Sequence, residues 1–532
     1  MRVLTVILLV TMCSILFVVP AISSNNIEIN SVNIYFNTLN IMIVLSALLL
    51  TGWTGKLAKA MLLASACVCI LSILITGGML SSGAFHSILA TNIDEIYGYF
   101  MLIDWLPVIV FSLIFLCASI LIFRCQLYLP KPVRVMVFGL TVALLFGYPG
   151  FRFSVDTAYS KDVREDPFSA LYIFPDMPSY NLYLVASLAM HERSLSTSPY
   201  GTSLPDHVHT LPVAEDNSGD LILILGESSR RHSYSIYGEP INTTPNLKKR
   251  ALHSPNFTKI EDVFSPAPNT RESVARSLSF ATSDTYLHEG LPFKTLLGAL
   301  SEADYHTVWI TTQDLYTRWD TFSAKVANSA DEVIHKNPNN GPWTDEIAAS
   351  YAVEELRKPR KSFVILHLWG EHSDYGIRNG QPIPDTSIQA IKEHDDAKER
   401  SKEEIEYLAS IHHTDEIIES IFSHIDTSER SDLAIYFPDH GEVIGKGHGL
   451  VPIDIDSELS IPMVAQGKQS RELIAEIDRF RDSEYGIFNT SYFPEVMINL
   501  LGGEASPPLD SLTLSFYSIQ GHPSHVGNQY YE

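Results

Sequence analysis

Residues 221–231 read LILILGESSRR: five apolar residues, a glycine, a glutamate, two serines and two arginines. Alternating Leu and Ile without a polar face predict a strand buried on both sides, as in parallel sheets covered by helices. Four further runs share this character: Thr307–Thr311, Phe363–Leu368, Leu433–Phe437 and Ile461–Ala465. Helical patterns separate them and no internal repeat is visible. From Asp220 onward the chain therefore reads as an α/β domain with a mostly parallel sheet. Asp385–Glu406 is highly charged and reads as an exposed helix or lid.

In such sheets ligands bind beyond the carboxyl ends of the strands. Gly226-Glu227-Ser228 follows the first run, Trp369-Gly370-Glu371-His372 the third, and Pro438-Asp439-His440-Gly441-Glu442 the fourth. Acids and histidines thus follow three separate strands and should converge at one edge. A Glu, an Asp and a His suit Zn²⁺, which accepts carboxylate oxygen and imidazole nitrogen. For Asp439-His440, adjacent at a strand end, the spacing favours a metal pair over a buried Asp–His ion pair. His448, in Gly445-Lys446-Gly447-His448-Gly449, reads more simply as part of a glycine loop. Thr270 follows Ser265-Pro266-Ala267-Pro268-Asn269 and opens a predicted helix, Thr270–Phe280. A hydroxyl there faces unpaired N–H groups that favour a phosphate, and Zn²⁺ would make it a nucleophile. Spacing alone favours an ordinary N-cap threonine.

The first 150 residues are different. They hold 6 Lys/Arg and 4 Asp/Glu, a net of +2, against 31 and 57 in the remaining 382 residues, a net of −26. Five apolar runs approach the roughly 20 residues a helix needs to cross a bilayer: Val3–Ile22, Ile34–Gly52, Leu57–Gly77, Trp105–Phe123 and Val133–Tyr148. Arg2, Lys56, Lys59, Arg124, Lys131 and Arg134 fall on one side, whereas the breaks Ser23–Asn33 and Ser81–Asp104 carry no Lys or Arg. The positive-inside rule places Met1 in the cytoplasm and everything after Gly150 outside it. Val19-Pro20-Ala21 could serve as a signal-peptide cleavage site, and cleavage would leave the later topology unchanged. In the second outer break, Thr91, Asp94 and Glu95 read equally as a solvated loop beside a Tyr97/Tyr99/Trp105 belt or as a head-group contact.

Residues 151–212 form a connector, with a candidate interfacial helix over Tyr172–Met190 and a Ser/Thr/Pro-rich linker at Ser194–Pro212. Residues 213–532 form the third part. The large negative surplus argues against a nucleic-acid partner. All five cysteines, Cys13, Cys67, Cys69, Cys117 and Cys125, lie in the first part. The remainder therefore has neither disulfides nor a thiolate metal site.

Two stretches carry a resemblance. LILGESSRRHSYSIYGEPINTTPNL (223–247) and PDHGE (438–442) resemble the phosphoethanolamine transferase branch of the alkaline phosphatase/sulfatase superfamily, and the order of membrane part, connector and soluble part matches throughout. The resemblance implies a five-helix transmembrane domain (1–150), a connector (151–212) and a periplasmic sulfatase-like α/β domain (213–532), anchored in a bacterial inner membrane. It maps the family's zinc ligands onto Glu227, Thr270, Asp439 and His440, with Thr270 as nucleophile through Asn269-Thr270-Arg271-Glu272-Ser273-Val274. His372 and His448 match histidines that hold the phosphoryl oxygens or a further zinc, and His367 matches less closely. Thr91 and Glu95 keep the four-residue spacing of a head-group contact, and Gln313 is a further polar substrate contact. The implied donor is phosphatidylethanolamine, the implied acceptor lipopolysaccharide core, lipid A or another envelope glycan, and the expected state a monomer.

The departures are specific. This chain lacks the disulfides of many relatives, Pro438 stands where Ser is usual, and Thr317, with Arg318 beside it, falls about where some members place a substrate-binding Lys. The disulfide-free pattern and WITTQDLYTRW (309–319) lean toward members that modify the lipopolysaccharide core. The nearest rival is a phosphoglycerol transferase of the lipoteichoic acid synthase kind, against which GESSRR and Glu95 favour ethanolamine. A sulfatase would need a Cys or Ser at Thr270. A non-catalytic zinc-fold receptor is the remaining alternative.

Overall fold

The structure is a computed structural model. It describes residues 31–76, 105–124, 127–156, 177–197, 201–211, 219–282, 291–313, 322–372, 374–378, 380–428, 433–449, 453–483 and 485–507, with the strand pair 515–517 and 523–525 and a few isolated positions. Contacts divide the chain into two units, one reaching from the apolar start to Glu192 and one from Arg193 onward, apart from two short exchanged segments.

In the first unit the described helices are α1 (Ser31–Leu49), α2 (Gly52–Thr76), α3 (Trp105–Arg124) and α4 (Lys131–Val155). Gly52–Leu74, Trp105–Arg124 and Lys131–Val155 are long and apolar enough to cross a membrane, and Ile34–Leu49 is a shorter apolar helix. The expected run Val3–Ile22 lies outside the described residues, as does the break carrying Thr91, Asp94 and Glu95. The last helix continues past the expected end at Tyr148 to Val155, with Pro149 inside it. It meets α1 through Ser46 Oγ and Thr141 Oγ1, 2.9 Å apart, and through Tyr148, whose ring lies tilted against Tyr35 and edge-on to Phe36. On α3 and α4, Leu106, Leu113, Leu116, Val135, Met136 and Phe146 stand exposed, an apolar surface suited to lipid tails rather than water.

The connector helix, α5 (Asn181–Thr197), starts nine residues later than the sequence pattern suggested. Polar groups of α1 and α2 fix its start. Asn40 Oδ1 accepts from Ser179 N at 3.2 Å, Ser65 Oγ accepts from Leu182 N at 3.2 Å, and Asn181 Oδ1 accepts from Cys69 Sγ at 3.2 Å. These side chains meet donors that an apolar helix surface would leave unpaired.

The second unit contains, in chain order, strands β1 (Val208–Thr210), β2 (Leu221–Gly226), β3 (Phe257–Phe264), β4 (His306–Thr311), β5 (Glu332–Ile334), β6 (Ser362–His367), β7 (Ile377–Arg378), β8 (Gln381–Pro382), β9 (Leu433–Pro438), β10 (Ser460–Gly467), β11 (Phe488–Asn489) and β12 (Glu504–Ala505). Eight of them form one sheet in the order β11-β3-β10-β9-β2-β6-β4-β5. Only β10 runs against the rest, pairing antiparallel with both β9 and β3. All five apolar runs are strands of this sheet. β3 had no such signature, because FTKIEDVF interleaves Lys259, Glu261 and Asp262 with its apolar residues.

Period-2 alternation divides the strand side chains between two cores. Leu221, Leu223, Leu225, Ile365, Ile435 and Phe437 pack on one face with Val274 and Ala275 of α6 (Thr270–Ser277). Ile222, Ile224, Val364, Leu366 and Tyr436 pack on the other with Ala348 and Ala352 of α7 (Asp345–Leu356). Each fully buried Leu or Ile contributes roughly 1.5–3 kcal/mol, so burial on both faces accounts for the unbroken apolar runs. The charged segment 385–406 folds as α8 (Asp385–Lys392), a 3-10 turn (Asp395–Glu399) and the start of α9 (Lys402–Thr427). Ile391 is buried in the core of that face, so α8 is a packed helix and not a lid. A capping box opens α9, with Ser401 and Glu404 each satisfying the other's backbone N–H.

Candidate active site

The carboxyl ends of β2, β6 and β9 lie side by side, since β2 pairs in parallel with both neighbours. Glu227 follows β2 directly and is fully buried. Ser228 turns the chain there with φ 53°, a left-handed conformation uncommon for a non-glycine residue, and its Oγ donates to Glu227 Oε1 at 2.8 Å. Gln313, just beyond β4, donates through Nε2 to Glu227 Oε2 at 2.7 Å and to Leu368 O at 2.9 Å. The backbone of residues 369–371 crosses so close that a Cβ on Gly370 would meet Glu227 N at 2.9 Å. Glycine is required at that contact, and Gly370 also has φ 59°.

Asp439 and His440 follow β9. Asp439 Oδ1 accepts from Ser228 N at 3.2 Å and His440 N at 2.8 Å. Its Oδ2 is buried without a hydrogen-bond partner among the described residues. His440 Nδ1 lies 2.8 Å from Gly441 O, an arrangement that keeps the proton on Nδ1 and turns Nε2 inward. Nε2 is 3.3 Å from Glu227 Oε1 and 3.5 Å from Asp439 Oδ2.

Thr270 completes the cluster. The helix it opens is capped by Asn269, whose Oδ1 accepts from Glu272 N at 3.2 Å. The expected capping threonine is therefore the first helical residue, and its hydroxyl is released. Thr270 Oγ1 lies 3.2 Å from each oxygen of Glu227 and 3.3 Å from His440 Nε2.

The charges in this cluster need a cation. Burial opposes ionisation of Glu227, yet the His440 ring, His372 and Gln313 hold its carboxyl well below the usual range. Burial and the Glu227 charge push Asp439 well above that range. Burial works against a charged His440, but Asp439 and Glu227 raise it to about 10. Protons thus neutralise two buried carboxylates that cannot both stay ionised side by side. Glu227, Asp439 and His440 each offer a ligand atom, all within 4.8 Å of one another. With the unpartnered Asp439 oxygen and the Thr270 hydroxyl, this donor set fits a zinc ion, which would displace those protons.

The remaining expected residues fall at several places. His448 has its ring centroid 4.3 Å from that of His440. The His372 ring lies tilted against Trp369, with centroids 5.2 Å apart, and acts electrostatically on Glu227. His367, at the end of β6, is buried, and neither ring nitrogen has a hydrogen-bond partner among the described residues. Burial pushes it down to about 4. Gln313 enters the site as a partner of Glu227. Thr91, Glu95, Thr317 and Arg318 lie outside the described residues.

Sequence reasoning assigned no role to four buried groups behind the site. Asp345 Oδ1 accepts from Trp369 N at 2.9 Å, and its Oδ2 accepts from Gly370 N at 3.2 Å and Arg378 Nη1 at 3.0 Å. Arg378 Nη2 reaches Glu371 Oε1 at 3.0 Å and Thr414 Oγ1 at 2.7 Å. Glu442 is the fourth. It stands in PDHGE, where the Asp-His pair drew the attention.

Residues 220–477 match the Sulfatase family. Phosphoethanolamine transferase EptC of Escherichia coli O18:K1:H7 (strain RS218 / NMEC) is 25% identical over 390 residues, covering 70% of this chain and 65% of that protein. The chain thus spans just under two thirds of that relative's length. Lipooligosaccharide phosphoethanolamine transferase A (EptA) from Neisseria meningitidis, an integral membrane protein, has a TM-score of 0.61 and 14% identity over 94% of this chain and 96% of that one. This is a likeness of fold. The C-terminal periplasmic domain of E. coli EptC, crystallised in complex with Zn, has a TM-score of 0.49 and 21% identity over 59% of this chain and 93% of that one.

Proposed function

Residues 220–477 form a sulfatase-family domain, and from that premise we propose that the chain transfers phosphoethanolamine from phosphatidylethanolamine to an envelope acceptor, lipopolysaccharide core or lipid A. The reading rests on one observation: a threonine hydroxyl, freed from capping, lies 3.2–3.3 Å from Glu227 and His440. The names of the relatives point to the same group transfer. In this reading residues 1–150 form five membrane helices in a bacterial inner membrane, 151–212 connect, and 213–532 are periplasmic, acting as a monomer.

Glu227, Thr270, Asp439 and His440 would hold zinc. When bound, zinc lowers the pKa of a ligating hydroxyl and offsets negative charge on phosphoryl oxygens. Thr270 Oγ1 gives its proton to His448 Nε2 and attacks phosphorus, the bond to diacylglycerol oxygen breaks, and phosphoethanolamine–Thr270 remains. His372 and His448 face the phosphoryl group, and His448 delivers the proton taken from Thr270 to the departing oxygen. The acceptor oxygen attacks in line, its proton returns through His448, and Thr270 is regenerated. With His440 and His372, Gln313 keeps Glu227 ionised through its hydrogen bond to Oε2. Thr91 and Glu95 contact the ethanolamine ammonium.

Thr270→Ala should abolish transfer of labelled head group while the protein stays folded and zinc-loaded. Wild-type protein trapped with donor should gain the mass of one phosphoethanolamine on Thr270. Transfer persisting in Thr270→Ala would sink the nucleophile assignment. Exchange from phosphatidylglycerol instead of phosphatidylethanolamine would shift the substrate to phosphoglycerol.

A further inference from the structure

Glu442 is fully buried, and a buried carboxylate costs several kcal/mol of desolvation unless its oxygens meet donors. Both oxygens do. The Tyr375 hydroxyl donates to Oε1, and His448 Nδ1 lies 3.4 Å from Oε2. The Tyr375 hydroxyl also accepts from Gly445 N at 3.3 Å. One phenol therefore fixes both the carboxylate and the top of the loop that carries His448.

That loop is held from several sides. Val443 and Gly447 exchange both backbone bonds at 3.0 Å. Gly445, Gly447 and Gly449 have φ of 73°, 86° and 70°, so an unrestrained loop of this composition would sample many shapes. Gly449 N donates to Glu458 Oε2, and Glu458 Oε1 accepts from Asp454 N at 2.8 Å. Tyr375 packs edge-on against Tyr407 at 5.0 Å, and Tyr407 donates to Ser228 O at 2.8 Å. The loop is thereby tied to the turn that presents Glu227.

An imidazole placed this way has one orientation. A carboxylate accepts but cannot donate, so the nitrogen facing Glu442 carries the proton and Nε2, across the ring, is the nitrogen left for the substrate. We propose that Glu442, braced by Tyr375, is the positioning residue for His448, fixing its tautomer and aim toward the phosphoryl group. The proposal rests on the role given to His448 in the transfer reaction. Glu442 does not touch the reacting atoms. Partners of this kind behind functional histidines are worth about 10–100-fold when removed.

A double-mutant cycle in the full-length, zinc-loaded protein tests this, with kcat and KM for head-group transfer, thermal midpoint and bound zinc as readouts. Glu442→Gln keeps the shape but can turn either an oxygen or an NH2 toward His448. It should lower kcat by about 10–100-fold, leaving KM, thermal midpoint and zinc content near those of wild type. In a His448→Ala background the same change should cost nothing further, because its target is gone. Tyr375→Phe repeats the cycle from the other end and should give a smaller loss that also vanishes with His448→Ala. Wild-type kcat in Glu442→Gln, or losses that multiply with His448→Ala in either cycle, would overturn the proposal. Should Glu442→Gln lose the fold or the zinc, the Tyr375→Phe cycle decides alone. A wild-type protein that transfers no phosphoethanolamine refutes the function itself and leaves a distinct signature, since every variant is then silent.

Discussion

Asn269 and Thr270 divide two tasks that one threonine would otherwise have to share. The first N–H groups of a helix need an acceptor, and a Thr side chain used as that acceptor cannot also face a metal or a phosphorus. Asn269 takes the Glu272 N–H, which leaves Thr270 Oγ1 among Glu227 and His440. Asn269→Ala should therefore cost about 1 kcal/mol in stability, and Asn269→Asp should restore it. Transfer should fall in Asn269→Ala in parallel with zinc affinity, measured by competition with a chromophoric chelator. Unchanged zinc affinity and rate in Asn269→Ala would show that the cap does not hold the hydroxyl in place. Thr270 was legible in the sequence only as an ambiguity, because the choice between cap and ligand depends on which of two adjacent residues opens the helix. Glu227 and Asp439-His440 were clearer, since each follows an unbroken apolar strand and strand ends share an edge.

At the scale of elements, the group around Arg378 has the largest effect on site geometry. Its guanidinium lies between Asp345 and Glu371, and all three side chains are buried. Asp345 anchors the backbone of Trp369 and Gly370, the stretch that backs Glu227 and leads to His372. Arg378→Met leaves two buried carboxylates without their cation, which costs on the order of 3–5 kcal/mol. The expected outcome is a lower thermal midpoint together with weaker zinc binding, whereas Arg357→Met, on the exposed residue that closes α7, should change neither. A stable Arg378→Met protein with full zinc affinity would refute the coupling. In the sequence only Glu371 was legible, as an acid at a strand end, and its pairing with Arg378 and Asp345 was not. Asp345, Glu371 and Arg378 lie on different elements separated by up to 33 positions, and isolated charges give no periodic signal. The apolar strands were legible because burial on both faces leaves no polar position to interrupt them. The direction of β10 was not, since a strand's composition does not encode which way it runs.

Across the whole molecule, pH acts on stability through pairs remote from the active site. His413 on α9 lies 2.6 Å from Glu346 on α7 and 3.3 Å from Glu416, with the Arg378 charge also acting on it. The His413 bond holds Glu346 down at about 2 despite its partial burial. Burial opposes a charged His413, but the two carboxylates outweigh it and raise the ring above its ordinary value. A depressed acid stabilises above its unfolded value, and that contribution is lost as pH falls toward the folded one. A raised base stabilises below its unfolded value, and that contribution is lost as pH rises through the folded one. The pair should therefore stabilise most between about pH 4.5 and 6.5. The difference in thermal midpoint between wild type and His413→Gln should peak in that window and shrink on either side. A difference that grows steadily up to pH 9 would contradict the assignment.

The reversed course of β10 has a bearing on how proteins of this design can diverge. Strands that run toward the site end there, and the loops that follow them can lengthen, shorten or change composition without disturbing the strands behind. β10 runs the other way, so the chain enters the site edge before it joins the sheet. That incoming segment bonds Gly441 N through Glu458 O at 2.8 Å and Ser265 N through Leu459 O at 2.9 Å, and it is then held by a neighbour on each side. Residue 441 must stay glycine there, because a Cβ would meet Ser457 O at 2.1 Å. The chain over Asp439 and His440 is thus held at both ends and can change little without loss of the site.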